Sequence, residues 1–198
     1  MEVSRIRALR GPNLWSRHTA IEAIVHCVPA EQGLNAQHPI EQQLRRIFPE
    51  VGPFDGHRPG EQVTMAHALE KVTLDLQTQA GCPVSFSRTT PTQEPGVYQV
   101  VVQYTEEAVG RLALELAVQL CHAAIARVGF DLEAAIAQLH ELDEDVRLGP
   151  STGSIVDAAV ARGVPIRRLT DGSLVQFGWG AKQRRIQAAE IDTTSAIA

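Results

Sequence analysis

Strand-like runs in this chain arrive in adjacent pairs with no helix between the partners, and that order most limits the fold. Residues 3–9 alternate apolar and polar side chains, Gly11-Pro12-Asn13 breaks the run, and Ile21, Ala23, Val25 and Cys27 resume it. Further on, VSFSRTT and GVYQVVVQY form a second pair, separated by Pro91 and the turn Glu94-Pro95-Gly96. The expected fold class is α+β: a small, mostly antiparallel sheet covered by three or four helices, followed by a short helix and a β-hairpin.

Helical periodicity supplies the covering layer. Apolar residues recur at helical spacing as Ile40, Leu44 and Ile47 over 38–48, and as Met65, Leu69, Val72 and Leu76 over 63–79. Two longer runs follow, 106–127 with Val109, Leu112, Leu116 and Leu120 inward, and 132–146 with Ile136, Leu139 and Leu142 inward. Gly129 and Asp131 are the expected C-cap and N-cap between them. The Pro-, Gly-, Asp- and Arg-containing stretch after residue 48, through Gly60, reads as a loop irregular enough to line a site. On the 63–79 helix the apolar stripe leaves His67, Glu70, Lys71 and Asp75 on the opposite side.

The pattern restarts at Leu148-Gly149-Pro150. Ser151-Thr152 opens a short helix ended by Gly163, PIRRLTDGSLVQFG reads as strand-turn-strand, and residues 193–198 read as a helix cap and first turn. One domain is therefore expected over 1–148, with the beginning of a second, truncated one over 149–198.

Charge and cysteine usage narrow the partners. The net charge of −5 is uneven: residues 1–60 carry 7 basic and 6 acidic groups, 61–150 carry 5 and 13, and 151–198 carry 6 and 4. An acidic middle argues against nucleic acid as the main partner. Sixteen of the 18 basic residues are Arg, which favours planar, bidentate pairing with carboxylates or phosphates. Cys27, Cys82 and Cys121 have neither metal-ligand spacing nor a disulfide framework, so a reducing cytoplasm is expected. The opening MEVSRIRALR has no apolar core behind it, and no uninterrupted run of about 18 apolar residues is expected, so no membrane partner is expected.

One short motif has chemical content. His67-Ala68-Leu69-Glu70-Lys71 comes within one residue of the H-x-x-E-H order of zinc hydrolases. Lys71 stands where a second histidine would, and an ammonium has no lone pair for a metal. The simpler reading makes Glu70, Lys71 and Asp75 helix-surface ion pairs, Lys71 to Asp75 at i,i+4 spacing, and expects no metal. Gly178-Trp179-Gly180-Ala181-Lys182 has glycines and a lysine but not the spacing of a P-loop, and reads as a turn with an exposed lysine.

Longer blocks carry a family resemblance across essentially the whole chain. RALRGPNLWS, GVYQVVVQY, LGPSTGSIVDAAVARGVPIRRL and SLVQFGWGAKQRRIQAAEIDTTSAIA together resemble the N-terminal portion of the cyanophycin synthetase family. The resemblance implies an enzyme that extends a poly-aspartate backbone and attaches arginine to each side-chain carboxylate, with ATP activating the carboxylate. It also implies an N-terminal domain that holds the polymer and, from about residue 149, the start of an ATP-grasp module. ATP and magnesium would serve the parent enzyme, and no cofactor is expected for this chain. The expected partners are the cyanophycin polymer, the remainder of the ligase and further copies in a homo-oligomer. In some members of the family this domain has a metal-dependent hydrolase activity on a helix reading H-x-x-E-H, and HALEK lies at the matching position.

A polymer carrying both carboxylates and guanidinium groups calls for a groove that mixes arginines with acidic or carbonyl acceptors. The residues expected to contact it are Arg10, Asn13, Trp15, Arg17 and Arg88, with Arg5 and Arg7 nearby and Trp15 placed to stack on a guanidinium. For each of them the plainer reading is an outer strand face or, for Trp15, a core plug. Two other roles are open: hydrolysis of the polymer, which needs a replacement for Lys71, and assembly through the apolar faces of the 106–127 and 132–146 helices.

Overall fold

The computed structural model describes residues 1–170, 172–188 and 190–191, with only the backbone of Glu190 and Ile191 considered. The expected helix cap at 193–198 lies outside the described residues. The chain divides into two compact units, Met1–Asp143 and Glu144–Ala198.

The first unit is built on a four-stranded antiparallel sheet of β1 (Glu2–Leu9), β2 (Ala20–His26), β3 (Ser87–Pro91) and β4 (Val97–Gln103), in the order β1-β2-β4-β3. Its helices are α1 (Pro39–Ile47), α2 (Met65–Gln79), α3 (Glu107–Ala126) and α4 (Leu132–Val146). The α+β class read from the sequence is therefore the observed one. Ile21, Ala23 and Val25 of β2 and Val100 and Val102 of β4 pair in register on one face of the sheet. That face meets the helices, and Thr89 of β3 donates from Oγ1 to the Ala66 carbonyl of α2 at 3.4 Å.

Local chemistry sets the helix ends. Pro39 occupies the first turn of α1 while His38 Nδ1 accepts from the Ile40 N–H at 3.3 Å. Thr64 caps α2, accepting from the Ala66 N–H at 3.3 Å. Asp131 is the N-cap residue expected from the sequence, its Oδ1 accepting from the Ala134 N–H at 3.0 Å. The other cap expectation needs correction: α3 ends at Arg127, which itself takes a left-handed conformation (φ 56°), rather than at Gly129.

Buried Val109, Leu116 and Leu120 place α3 in the core, against α1, α2 and β2. Gly110 permits the close approach, because a Cβ there would stand 2.6 Å from Tyr104 Cβ and 3.1 Å from Ile21 Cγ1. By length and mean hydropathy (1.4) α3 is long and apolar enough to cross a membrane, contrary to the expectation of no such run, because its few charges are spaced among many small apolar residues. Its packing against three neighbouring elements is that of a core helix. Leu139 and Ala135 of α4 are buried too, so much of the apolar surface assigned to assembly is occupied within the chain.

The second unit contains α5 (Pro150–Ala161) and an antiparallel sheet of β5 (Ile166–Arg168), β6 (Val175–Phe177), β7 (Arg184–Gln187) and β8 (Glu190–Ile191), in that order. The expected hairpin is β5–β6, and β7 and β8 extend it. Val156, Val175 and Ile186 form a small core under Leu148, Ile166 and Phe177. Gly180–Lys182 is a 3-10 turn, and Lys182 on it is exposed.

Candidate functional site

Two places in the first unit gather polar side chains beyond what the fold needs. One is the face of the sheet turned away from the helices. Register places Arg7 opposite Glu22, Glu22 opposite Val101, and Val101 opposite Arg88, giving one row across all four strands. Arg5, Ile24, Gln99 and Thr90 form the next row on the same face. Glu22 is 1% exposed and lies under the Arg7 guanidinium, whose Nη2 donates to Oε1 at 2.9 Å while Nε donates to Oε2. Gln99 Nε2 donates to the same carboxylate. Burial pushes the Glu22 carboxyl upward, but the Arg7 and Gln99 hydrogen bonds more than offset it, and its pKa lies below the ordinary glutamate value. Arg88 is half-buried, and its Nε is inaccessible to solvent with no hydrogen-bond partner among the described residues.

The other residues expected to contact a polymer are dispersed. Asn13 organises its own loop: Nδ2 donates to the carbonyls of Gly11 (3.1 Å) and His18 (2.9 Å), and Oδ1 accepts from the N–H groups of Trp15 (2.9 Å) and Ser16 (3.0 Å). Its amide is fully engaged, which makes it a scaffold for the loop. Trp15 is half-buried and Arg17 exposed on that loop. Arg10 forks onto Glu107 at the start of α3, Nε to Oε2 at 2.6 Å and Nη2 to Oε1 at 3.3 Å. Arg10 is thus committed to a helix, while Arg88 belongs to the outer sheet face.

The second place is where the loop before α2 crosses that helix. The loop brings His57 and Glu61, and α2 brings His67 and Glu70, and they pair crosswise. His57 Nε2 lies 2.8 Å from Glu70 Oε2, and His67 Nε2 lies 3.7 Å from Glu61 Oε1. A further tie runs through Asp75, which accepts from the Gly52 N–H at 2.9 Å and pairs with Lys71 Nζ at 2.9 Å. The Lys71–Asp75 pair matches the sequence expectation. The expectation that His67 and Glu70 sit on the helix surface does not hold, since they are 2% and 4% exposed. The helix is buried on more than its apolar stripe, because the 49–64 loop folds back over the side that periodicity alone leaves to solvent.

His67 also helps cap its helix. Its Nδ1 accepts from the Thr64 backbone N–H at 3.2 Å, completing a capping box in which histidine replaces the usual Glu or Gln. In the neutral ring the proton then sits on Nε2, which is buried and has no hydrogen-bond partner among the described residues. Burial lowers the His67 pKa most, against opposing pulls from Glu70 and Glu61. Beside the ring is a cavity of about 340 Å³, lined by Asp55, His57, His67, Glu70, Lys71 and Ser85 among others.

These residues do not fit zinc. A metal-binding histidine offers a ring lone pair to the ion and turns its other N–H toward an acceptor. His67 meets a backbone N–H donor at Nδ1, so its Nε2 carries the proton and has no lone pair to give. Glu70 is held by His57, and Lys71 is tied to Asp75. Among the described residues no group of three or more His, Cys, Asp or Glu is arranged to hold a metal.

A family description matches this part of the chain: residues 50–126, which include the crossed pairs, α2, β3, β4 and α3, match a cyanophycin synthase-like N-terminal domain. The whole chain is 37% identical to a cyanophycin synthetase of Trichormus variabilis and 36% identical to one of Geminocystis herdmanii, covering 24% of each. One from Synechocystis is 36% identical over 95% of the chain and 23% of its own length. Residues 50–126 thus fall in the cyanophycin synthase-like N-terminal domain family, and the chain is similar over essentially its whole length to part of cyanophycin synthetases. It spans about a quarter of the length of the curated relatives it matches.

Proposed function

We propose that this chain is the polymer-holding part of an ATP-dependent amide ligase that adds aspartate and arginine to a growing chain, and that it binds without catalysing. The observation that carries the reading is the outer sheet row. A buried carboxylate, Glu22, sits in register between Arg7 and Arg88, and Arg88 keeps an inaccessible Nε with no partner among the described residues. Such a face offers the exposed Arg5 and half-buried Arg88 guanidinium groups as donors for carboxylates and the Gln99 side-chain carbonyl as an acceptor for guanidinium groups, while Glu22, taken up by Arg7 and Gln99, holds the row together. ATP and magnesium are assigned to the remainder of the ligase, which the second unit would begin. In place of hydrolysis, the reading leaves the His67 region a binding role, because its residues do not fit a metal.

Capture of β-aspartyl-arginine oligomers by the 198-residue chain, at low and high salt and with or without ATP, tests this. The expected result is saturable, salt-sensitive binding independent of ATP, weakened about tenfold by Arg5→Glu combined with Arg88→Gln in a chain that still unfolds cooperatively. Undiminished capture by that variant would remove the outer sheet face from the reading. No capture by the unaltered chain would remove the reading itself.

A further inference from the structure

We infer that the open edge of β1 pairs with β1 of a second copy of this chain, in a two-fold antiparallel register that sets Glu2 opposite Arg7, Val3 opposite Ile6 and Ser4 opposite Arg5. The inference does not depend on the polymer-holding reading. Three observations carry it.

The first is the edge itself. β1 ends the order β1-β2-β4-β3, and no backbone hydrogen bond joins Glu2–Leu9 to any element other than β2 among the described residues. The other edge strand, β3, is shorter and ends in Pro91, which has no N–H to offer. β1 runs for eight residues without a proline, and Ile6 is 45% exposed although register places it opposite Ala23, on the helix side of the sheet. Unpaired strand backbone beside an exposed apolar side chain is a template for another strand.

The second is the register shift between Val3 and Arg5. It puts two successive side chains on the outer face: Ser4 Oγ lies 2.9 Å from His26 Nε2, and Arg5 stands opposite Ile24. A bulge ordinarily spoils edge pairing. Two identical antiparallel strands related by an axis normal to the sheet must set like-facing residues opposite each other. With that axis between Ser4 and Arg5, outer Glu2 meets outer Arg7, helix-side Val3 meets helix-side Ile6, and the two bulges lie against one another. In a strand without the shift, the same register would set opposite faces together.

The third is complementarity. Glu2 is exposed and makes no ion pair among the described residues. Arg7 gives Nε and Nη2 to its own Glu22, yet its side chain remains 55% exposed, so Nη1 is left for a neighbour's carboxylate. The pairing makes two Glu2–Arg7 contacts and covers both Ile6 side chains with Val3, each a favourable cross-strand pair. Moving the axis to Ile6 would set Arg5 against Arg7, and outer Ser4 against helix-side Ala8. Charge and facing together therefore select one register, and a second β1 supplies both halves of it.

Sedimentation of the 198-residue chain, combined with disulfide trapping, tests the inference. A strand pair of this length buries less than the roughly 1,200 Å² of a standard interface, so a monomer–dimer equilibrium is expected between about 1 and 200 μM. Glu2→Arg and Ile6→Lys, both at exposed positions, should each weaken association about tenfold or more without lowering the unfolding temperature, while Arg88→Gln on the far edge strand leaves it unchanged. Val3→Cys with Ile6→Cys should give a covalent dimer on mild oxidation, the three native thiols being buried. Val3→Cys with Ala8→Cys, which marks a different register, should not. A chain that stays monomeric throughout, association untouched by Glu2→Arg and Ile6→Lys, or trapping through 3 and 8 in preference to 3 and 6 would overturn the inference. Polymer capture by a chain that never pairs overturns the pairing and leaves the holding reading intact, and pairing without polymer capture does the reverse.

Discussion

His57 Nε2 and Glu70 Oε2 stand 2.8 Å apart, joining a loop residue to a helix residue that sequence periodicity would leave facing water. With Glu61 opposite His67 and Gly52 bonded to Asp75, this contact folds the 49–64 loop over α2 and makes a cavity wall from what would otherwise be a solvated helix face.

Zinc content is the most direct check on the tautomer argument. Purified chain should contain no stoichiometric zinc by elemental analysis, and Lys71→His alone should not create a site, because the His67 Nε2 proton is fixed by the Thr64 N–H. One zinc per chain in either protein would contradict this.

Acid should weaken the fold earlier than its carboxylates alone predict. The folded-state pKa of His67 is lowered by burial, so below its unfolded value of about 6.5 the unfolded chain binds the extra proton more readily than the folded one. Stability should therefore fall as pH drops from about 7.5 to 5.5, and His67→Gln should flatten that slope in chemical denaturation measured across the range.

Glu22 acts in a lower window with the depressed-carboxylate sign. Its stabilisation is present above its unfolded pKa and is lost as pH falls through the lowered folded value. At neutral pH, Glu22→Ala should cost about 1–3 kcal/mol, because Arg7 and Gln99 lose their common acceptor and a buried space opens. An unchanged denaturation midpoint would show that the outer row contributes nothing to stability.

Gly110→Ala should destabilise by about 1–3 kcal/mol, since a Cβ would press on the Tyr104 Cβ, an atom close to the backbone that cannot swing away. Thermal unfolding of this variant measures the closeness of α3 to the sheet.

The three thiols should be slow to react. Burial pushes Cys27 and Cys82 to about 11 and raises Cys121 further, so little thiolate exists near neutrality. Native chain should show almost no reaction with a disulfide reagent in the time that urea-unfolded chain reacts at all three. Rapid labelling of any one in the native state would mean that its surroundings open.

Much of the fold was legible because periodicity and turn chemistry are local. The paired β-runs, the α2 stripe from Met65 to Leu76 and the Asp131 cap all follow from near neighbours in the chain, and the structure holds them at or within a few residues of the expected places. The end of α3 was misplaced because Arg127 supplies a left-handed residue where glycine is the usual choice. Of the candidate binding residues, the role of Asn13 was hidden because an amide that ties its own loop and one that contacts a ligand are the same residue type in a sequence.

The amino-acid sequence by itself determined the fold class, the paired antiparallel strands, the four helices of the first unit, the near-miss of HALEK and the likeness to cyanophycin synthetases. Tertiary structure alone decided that His67 and Glu70 are buried, that His57 and Glu61 come from the loop to meet them, and that Arg7, Glu22 and Arg88 share one row of the sheet. The physical reason is range. Periodicity and capping act over one or two turns, whereas the crossed pairs and the arginine row join residues whose proximity depends on strand order and on the path of a loop, which no local pattern encodes.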